Sequence, residues 1–233
     1  MVGSLNNMLV EGSVSHWILS GFYHHPLRFS FAFLRSLICT RKLCGSFWPI
    51  RVRVAPGQDF KVSCATSGNV EVKGVLSIGS WGGSSLPTSL SAGPGSRVSI
   101  LGDFQIGPGV HISVGAGGTL KIGGKLKSAS GITCNSRIMV EHSVEIGHDC
   151  IFGWDVFVSD SDWHDIAGAR RHAPVVIGDH VWVSHGVSIV KGAVIPAGCV
   201  VGAKSLVSSE LRVQNALVAG IPATVKRTGV EWF

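Results

Sequence analysis

The stretch Ile177–Arg212 divides into sixes: IGDHVW, VSHGVS, IVKGAV, IPAGCV, VGAKSL, VSSELR. Its first positions are Ile177, Val183, Ile189, Ile195, Val201 and Val207, all aliphatic and β-branched. Its fifth positions are Val181, Val187, Ala193, Cys199, Ser205 and Leu211, mostly small or apolar. Neither a helical period nor simple alternation produces this pattern. A period of six suits a coil of short strands joined by corners. Each coil stacks on the last, burying an aliphatic column and pairing backbone groups between coils. β-branched residues favour the strands, and glycine and polar residues favour the corners. The expected fold is all-β, a parallel β-helix. The period leaves the handedness open.

The same frame continues upstream. Ile122, Ser128, Cys134, Val140, Ile146, Phe152 and Val158 are six apart, with Ile132, Ile138, Val144, Cys150 and Val156 at fifth positions. Ser128 is the weakest member. Ile100, Ile106 and Ile112 form a third set, and the step from Ile112 to Ile122 carries four extra residues. Residues 50–99 alternate like strands in VRVAPGQDFKV and NVEVKGVLSIG and are expected as irregular early coils. GSWGGSSLPTSLSAGPGS reads as a loop. Residues 1–25 carry little signal. The chain thus divides into an N-terminal extension at 1–49, irregular strands at 50–99, the β-helix at 100–211 and a tail at 212–233.

The frame breaks between Val158 and Ile177, 19 residues apart where the ruler asks for six. The 13 extra residues must leave the coil as a loop, because the frame is intact on both sides. That loop, at 159–176, carries SDSDWHDIAGARRHAP. Loops held on a rigid scaffold are where binding and catalytic groups concentrate.

Three stretches, CIFGWDVFVSDSDWHDI, PVVIGDHVWVSHGVSIVKGAVIPAGCVVGAKSLV and NALVAGIPATVKRTGVEW, together resemble the hexapeptide-repeat acyltransferases. The likeness is nearest to sugar and polysaccharide O-acetyltransferases related to galactoside and maltose acetyltransferases. It covers about residues 100–233. It implies a left-handed coil, a homotrimer, and acetyl-CoA bound between neighbouring subunits. The implied reaction moves an acetyl group to a hydroxyl of a sugar or surface polysaccharide.

The resemblance puts the general base on His164. A sugar hydroxyl is a poor nucleophile at neutral pH, and an imidazole within reach can take its proton as the oxygen attacks the thioester. Asp160 and Asp162 are expected to bind acceptor hydroxyls or support the loop, ahead of forming a His–Asp dyad. Trp163 is expected to shield the site or stack on a sugar. Trp182 matches a tryptophan beside the acyl-donor site. Backbone groups near Ser184, His185 and Ala203 match positions that hold the pantetheine arm, where an N–H also suits an oxyanion. Ser208 and Arg227 match positions toward the nucleotide end of the coenzyme, Arg227 as a phosphate contact. There are departures: Ser209 stands where lysine is frequent, and Ile221 and Thr224 replace the usual asparagine and lysine. Lys204, Lys226 or Arg212 is expected to substitute as a phosphate contact.

Carbonic anhydrases of this fold bind a metal through three histidines. His185 lies in a comparable setting, but Val190 occupies the second position, and His180 and His185 have the right gap in the wrong frame. No metal is expected. Antibiotic acetylation and a coil without chemistry are the remaining alternatives. The DSDWH form argues against the first, and the retained His164 and Trp182 against the second.

The 233 residues are 45% hydrophobic and 15% charged, with 31 glycines, which suits a filled core and many turns. The net charge is +6, yet no dense basic run is interleaved with aromatics, so nucleic acid is not an expected partner. Six cysteines without a Cys-x-x-Cys pair point away from a disulfide framework and toward the reducing cytoplasm. Pro26–Leu43, PLRFSFAFLRSLICTRKL, is interrupted by Arg28 and Arg35 and lacks the apolar centre of a cleavable leader. It reads as an amphipathic helix that caps a domain end, ahead of one lying peripherally on the inner face of a membrane.

Overall fold

The computed structural model describes residues 14–24, 26–66, 69–79 and 86–233. Among them the chain forms two helices, α1 (Val14–His24) and α2 (Pro26–Cys44), and then winds as a parallel β-helix. Three short strands make each coil. The first coil holds β1 (Val52–Val54), β2 (Phe60–Cys64) and β3 (Val70–Val72). These pair in parallel with β4 (Leu76–Ile78), β5 (Thr88–Ala92) and β6 (Arg97–Ile100), and the pattern continues upward. Among the described residues the three faces so formed hold nine, seven and six strands.

The register identifies the side chains that stack. On the first face Ile78, Ile106, Ile132, Phe152, Val183 and Val201 partner one another in turn. On the second face the column is Leu90, Ile112, Ile138, Val158, Ile189 and Val207. On the third it is Val72, Ile100, Ile122, Ile146, Ile177 and Ile195. All are buried.

This register corrects the frame expected upstream of Val158. Between Ile122 and Ile146 the true members are Ile132 and Ile138. Ser128 and Cys134 lie at corners, and Val140 sits two residues past Ile138 on β11 (Arg137–Val140). Four extra residues enter between Ile122 and Ile132, and two more between Ile138 and Ile146. Together they equal one hexapeptide, so the ruler regained phase by coincidence.

Residues 50–99 join the same stack. β5 lies inside the stretch expected as a loop: Thr88, Leu90 and Ala92 are buried, and the serines between them face outward. Its period of two is masked by serine and glycine. The neighbouring residues 80–85, and residues 1–13 of the low-signal N-terminus, lie outside the described residues. The rest of that N-terminal stretch includes α1, whose Trp17 is fully buried edge-on to Phe29, with centroids 5.0 Å apart.

Helix α2 closes the lower end of the coil. It contacts β1, β2 and β3, the terminal strand of each face. Its buried side carries Phe29, Ala32, Ser36, Cys39, Thr40 and Leu43. An uncovered terminal strand would present a row of unpaired amides. Here Ser36 Oγ accepts the N–H of Val54 at 2.9 Å, and Thr40 Oγ1 accepts that of Val52 at 3.1 Å. Arg35 adds an ion pair to Asp59 at 2.5 Å. At the upper end β21 (Ala216–Gly220) and β22 (Ala223–Thr228) form an antiparallel hairpin. All six cysteines are free, and burial pushes the Cys39 thiol up to about 11 and that of Cys150 to about 12.

Ser36→Ala strands the buried Val54 amide. It is expected to lower stability by about 1–3 kcal/mol, read as a shift of the urea midpoint at constant m.

Candidate active site

Trp182 and Val200 are partners 18 residues apart, one plain coil. Phe157 and Ser188 are partners 31 residues apart. The difference is the 13-residue excursion. It leaves between β14 (Phe157–Ser159) and β15 (Val175–Ile177), at the corner joining the second and third faces.

The root of this loop is clamped from below. Asp160 is fully buried. Its carboxylate accepts the backbone N–H groups of Glu141, His142 and Ser143, at 2.8, 2.7 and 2.5 Å. Both oxygens are therefore engaged on the coil beneath. The expectation that Asp160 binds acceptor hydroxyls gives way to an anchoring role, because three charge-assisted bonds hold it inside. Glu141 joins the same root. Its carboxylate accepts the Ser161 hydroxyl and pairs with Arg171 at 2.7 Å. The Ser161 hydroxyl first, and then Arg171, hold Glu141 below the ordinary carboxylate range against the opposing effect of burial. Since the folded value is the lower one, the ion pair persists at neutral pH and weakens only as pH falls through it.

The root is also clamped from above. Lys191, on the next coil, pairs with Asp162 and donates to the carbonyl of Arg170 at 2.6 Å. Asp162 is thus held by a lysine rather than set against His164. The two strands of the loop close on each other through Asp162 N–H to Arg171 O at 2.9 Å and Ala173 N–H to Asp160 O at 3.0 Å. The rings of His142 and His172 lie beside the root, centroids 4.9 Å apart.

Above this root the backbone turns abruptly. Trp163 has φ of 64°, a left-handed conformation that costs a bulky residue energy and survives only where neighbours enforce it. Its N–H donates to Ser161 Oγ at 3.0 Å and its indole N–H to Ser159 Oγ at 3.1 Å. The turn presents the next residue, His164, at the surface. His164 is exposed, and it has no hydrogen-bond partner among the described residues. Asp165 follows, 3.9 Å from Arg171. Glu141, Arg171 and Lys191 were missed in the sequence. Their signal was the stacking of corners, which becomes usable once the register is known.

The other expected residues lie elsewhere. Trp182 is 42% exposed on β16 (Trp182–Val183) of the first face. It lies 6.1 Å from Trp232, which stacks on His180 at 4.1 Å and 6°. His180 Nε2 lies 3.1 Å from the Trp232 carbonyl oxygen. A cleft of about 370 Å³ opens here between His180, Asn215 and the C-terminal residues. Ser184, His185 and Ala203 share the corner between the first and second faces. Two of the backbone groups expected to hold a coenzyme arm are spent on coil pairing there: Ser184 N–H donates to Val201 O, and His185 O accepts from Lys204. The His185 ring lies 3.5 Å from Asp155. Ser208 is exposed just beyond β20 (Leu206–Val207), and Arg227 is exposed on β22. Within one chain the expected set is therefore divided among several places. His180 and His185 likewise point to different corners, and among the described residues no group of three or more His, Cys, Asp or Glu is placed to hold a metal ion.

No protein-family model matches the chain. It is similar to the WbbJ protein of Escherichia coli K12, assigned to lipopolysaccharide biosynthesis O-acetyl transfer, with 32% identity over 97 residues, 36% of this chain and 49% of that one. It is similar to the galactoside O-acetyltransferase of Lactococcus lactis, with 31% identity over 99 residues, 40% and 47% of the two chains. The polysialic acid O-acetyltransferase of E. coli O1:K1 matches at 31% over 96 residues, 39% and 31%. The chain spans half or less of the length of these curated relatives. Among solved structures, the polysialic acid O-acetyltransferase OatWY superposes with a TM-score of 0.52 at 22% identity, over 76% of this chain and 90% of that one. That likeness concerns the fold. The resemblance to sugar and polysaccharide O-acetyltransferases, first visible in the motifs, holds in these sequence matches.

Removing the buried anchor separates structure from chemistry. Asp160→Ala is expected to cost about 2–3 kcal/mol and to make the loop the first site of protease cutting. Asp160→Asn, which keeps one acceptor oxygen, should lose less; urea unfolding and limited proteolysis check both.

Proposed function

We propose that the protein is an acetyl-CoA-dependent O-acetyltransferase acting on a hydroxyl of a sugar or surface polysaccharide, with His164 as general base. The observation that carries this reading is the loop. An unpartnered imidazole is held out from a rigid coil by a root clamped on two sides, in a chain similar to several O-acetyltransferases. The imidazole takes the proton of the acceptor hydroxyl as its oxygen bonds to the thioester carbonyl carbon. The carbon–sulfur bond then breaks, and the coenzyme thiolate leaves with the proton returned by the imidazolium. With Asp160 buried and Asp162 paired, acceptor contacts pass to the tip, where Trp163 and Asp165 flank His164. Free cysteines fit a reducing compartment such as the cytoplasm.

His164→Ala is expected to lower turnover by about 10²–10⁴-fold while leaving the melting transition in place. Thiol release from acetyl-CoA, followed with a panel of sugars and glycans, measures this. Full activity in the variant would remove His164 from the reaction.

The site is read as shared between copies, as a trimer would arrange it. His164 leaves the corner of the second and third faces, whereas Trp182 lies on the first face. A donor lying along Trp182 of one copy would meet His164 of another. His164→Ala and Trp182→Ala proteins, each impaired alone, are then expected to regain activity when co-expressed as mixed oligomers. Mixed oligomers that stay inactive would put both groups in one chain's site.

A further inference from the structure

Helix α2 is apolar on two opposite sides. One side closes the coil. The other carries Leu27, Phe31, Leu34 and Ile38, at spacings of four, three and four, with 79, 76, 56 and 43% of their surfaces exposed. At about 100° per residue these fall in one stripe facing away from the buried side. Because α2 lies against the terminal strand of every face, the stripe points away from the stack of coils.

We propose that this stripe docks the protein in plane on an anionic lipid bilayer. The charge distribution selects that occupant. Residues 12–58 contain six lysines and arginines and no acid, while the other 14 basic residues are matched by all 14 acids. Of those six, Arg53 is buried and Arg35 pairs with Asp59, while Arg28, Arg41 and Lys42 are exposed on α2, whose own sequence carries no acid. Arg41 and Lys42 are exposed on either side of the stripe's C-terminal end. Apolar residues rimmed by Arg28, Arg41 and Lys42 suit the boundary of acyl chains and anionic headgroups. A second copy is a poorer occupant, because pairing two such segments sets like charges together. No helix among the described residues is long and apolar enough to cross a membrane, so the contact is one of lying on the surface.

The geometry gives this contact a use. Four coil-to-coil steps separate β2 from β14, where the loop leaves. At about 4.8 Å per step, the loop carrying His164 leaves roughly 20 Å above the first coil, which rests on the helix, within reach of glycans carried on lipid. That last clause rests on the proposed transferase reading; the docking does not.

Flotation of vesicles through a sucrose step gradient tests the docking without any acetyl transfer. Wild-type protein is expected to float with equimolar phosphatidylglycerol–phosphatidylcholine vesicles, and not with phosphatidylcholine alone. Phe31→Ser with Leu34→Ser should reduce partitioning at least about tenfold with an unchanged melting transition. Arg41→Glu with Lys42→Glu should also weaken it and flatten its salt dependence. No flotation with the anionic vesicles, equal binding to neutral ones, or unaltered binding by the serine variant would overturn the proposal. So would a lower oligomer mass in the serine variant, which would assign the stripe to a second copy. Binding seen only after removal of residues 1–13 would assign it to that segment.

Discussion

The parallel hydrogen bonds between successive coils are the interaction on which everything else rests. Individual strands are too short to persist alone; β16 is two residues long. Each exists because the coil below offers a template of carbonyls and amides and the coil above uses the other edge. The aliphatic columns then fix the register, since a slip of one residue would turn every isoleucine outward. This coupling makes the body stiff in a way that no single strand is. It also concentrates exposure at the two ends, where a helix and a hairpin close the stack.

The corners share a second device. Asp103 accepts the amide of Val75, and Asp179 that of His148. Asp149 accepts three amides, from Leu126, Lys127 and Ser128. Asp160 does the same for residues 141–143. In each case a corner carboxylate reaches to the corner of the preceding coil and satisfies donors that the strands cannot. Asp160 is the member of this series from which the loop departs. Its charge serves the scaffold, and the adjoining residues are left to the surface.

Much of the architecture was legible in the sequence. The sixes of Ile177–Leu211 translate directly into the three faces, and the interruption before Ile177 is a real excursion of the expected size. Upstream, two corner insertions summed to one repeat, so Ser128 and Cys134 looked in phase when they were not. The N-terminal cap was legible as an amphipathic segment, but its two apolar sides were not told apart. The larger apolar residues, Leu27, Phe31, Leu34 and Ile38, lie on the exposed side, and the buried side is mostly small residues between Phe29 and Leu43, so hydrophobicity alone points to the wrong side. At the loop, the sequence marked His164 but could not separate Asp160 from Asp162. Their difference is one of depth, and depth follows from which corner amides lie beneath. Trp182 and His164 are close in the chain and on different faces, which period alone does not reveal.

The loop begins and ends at a single corner. Ser161 and His172 bridge each other, and Asp160 and Ala173 are joined by a backbone bond. The coil therefore meets the excursion as one closed neck, with its ladder unbroken above and below. Residues between that neck can lengthen, shorten or change without disturbing the columns, because closing a longer loop costs little. Such a neck makes the excursion an exchangeable cassette. A dozen residues can be replaced there while the folding of the body is left untouched.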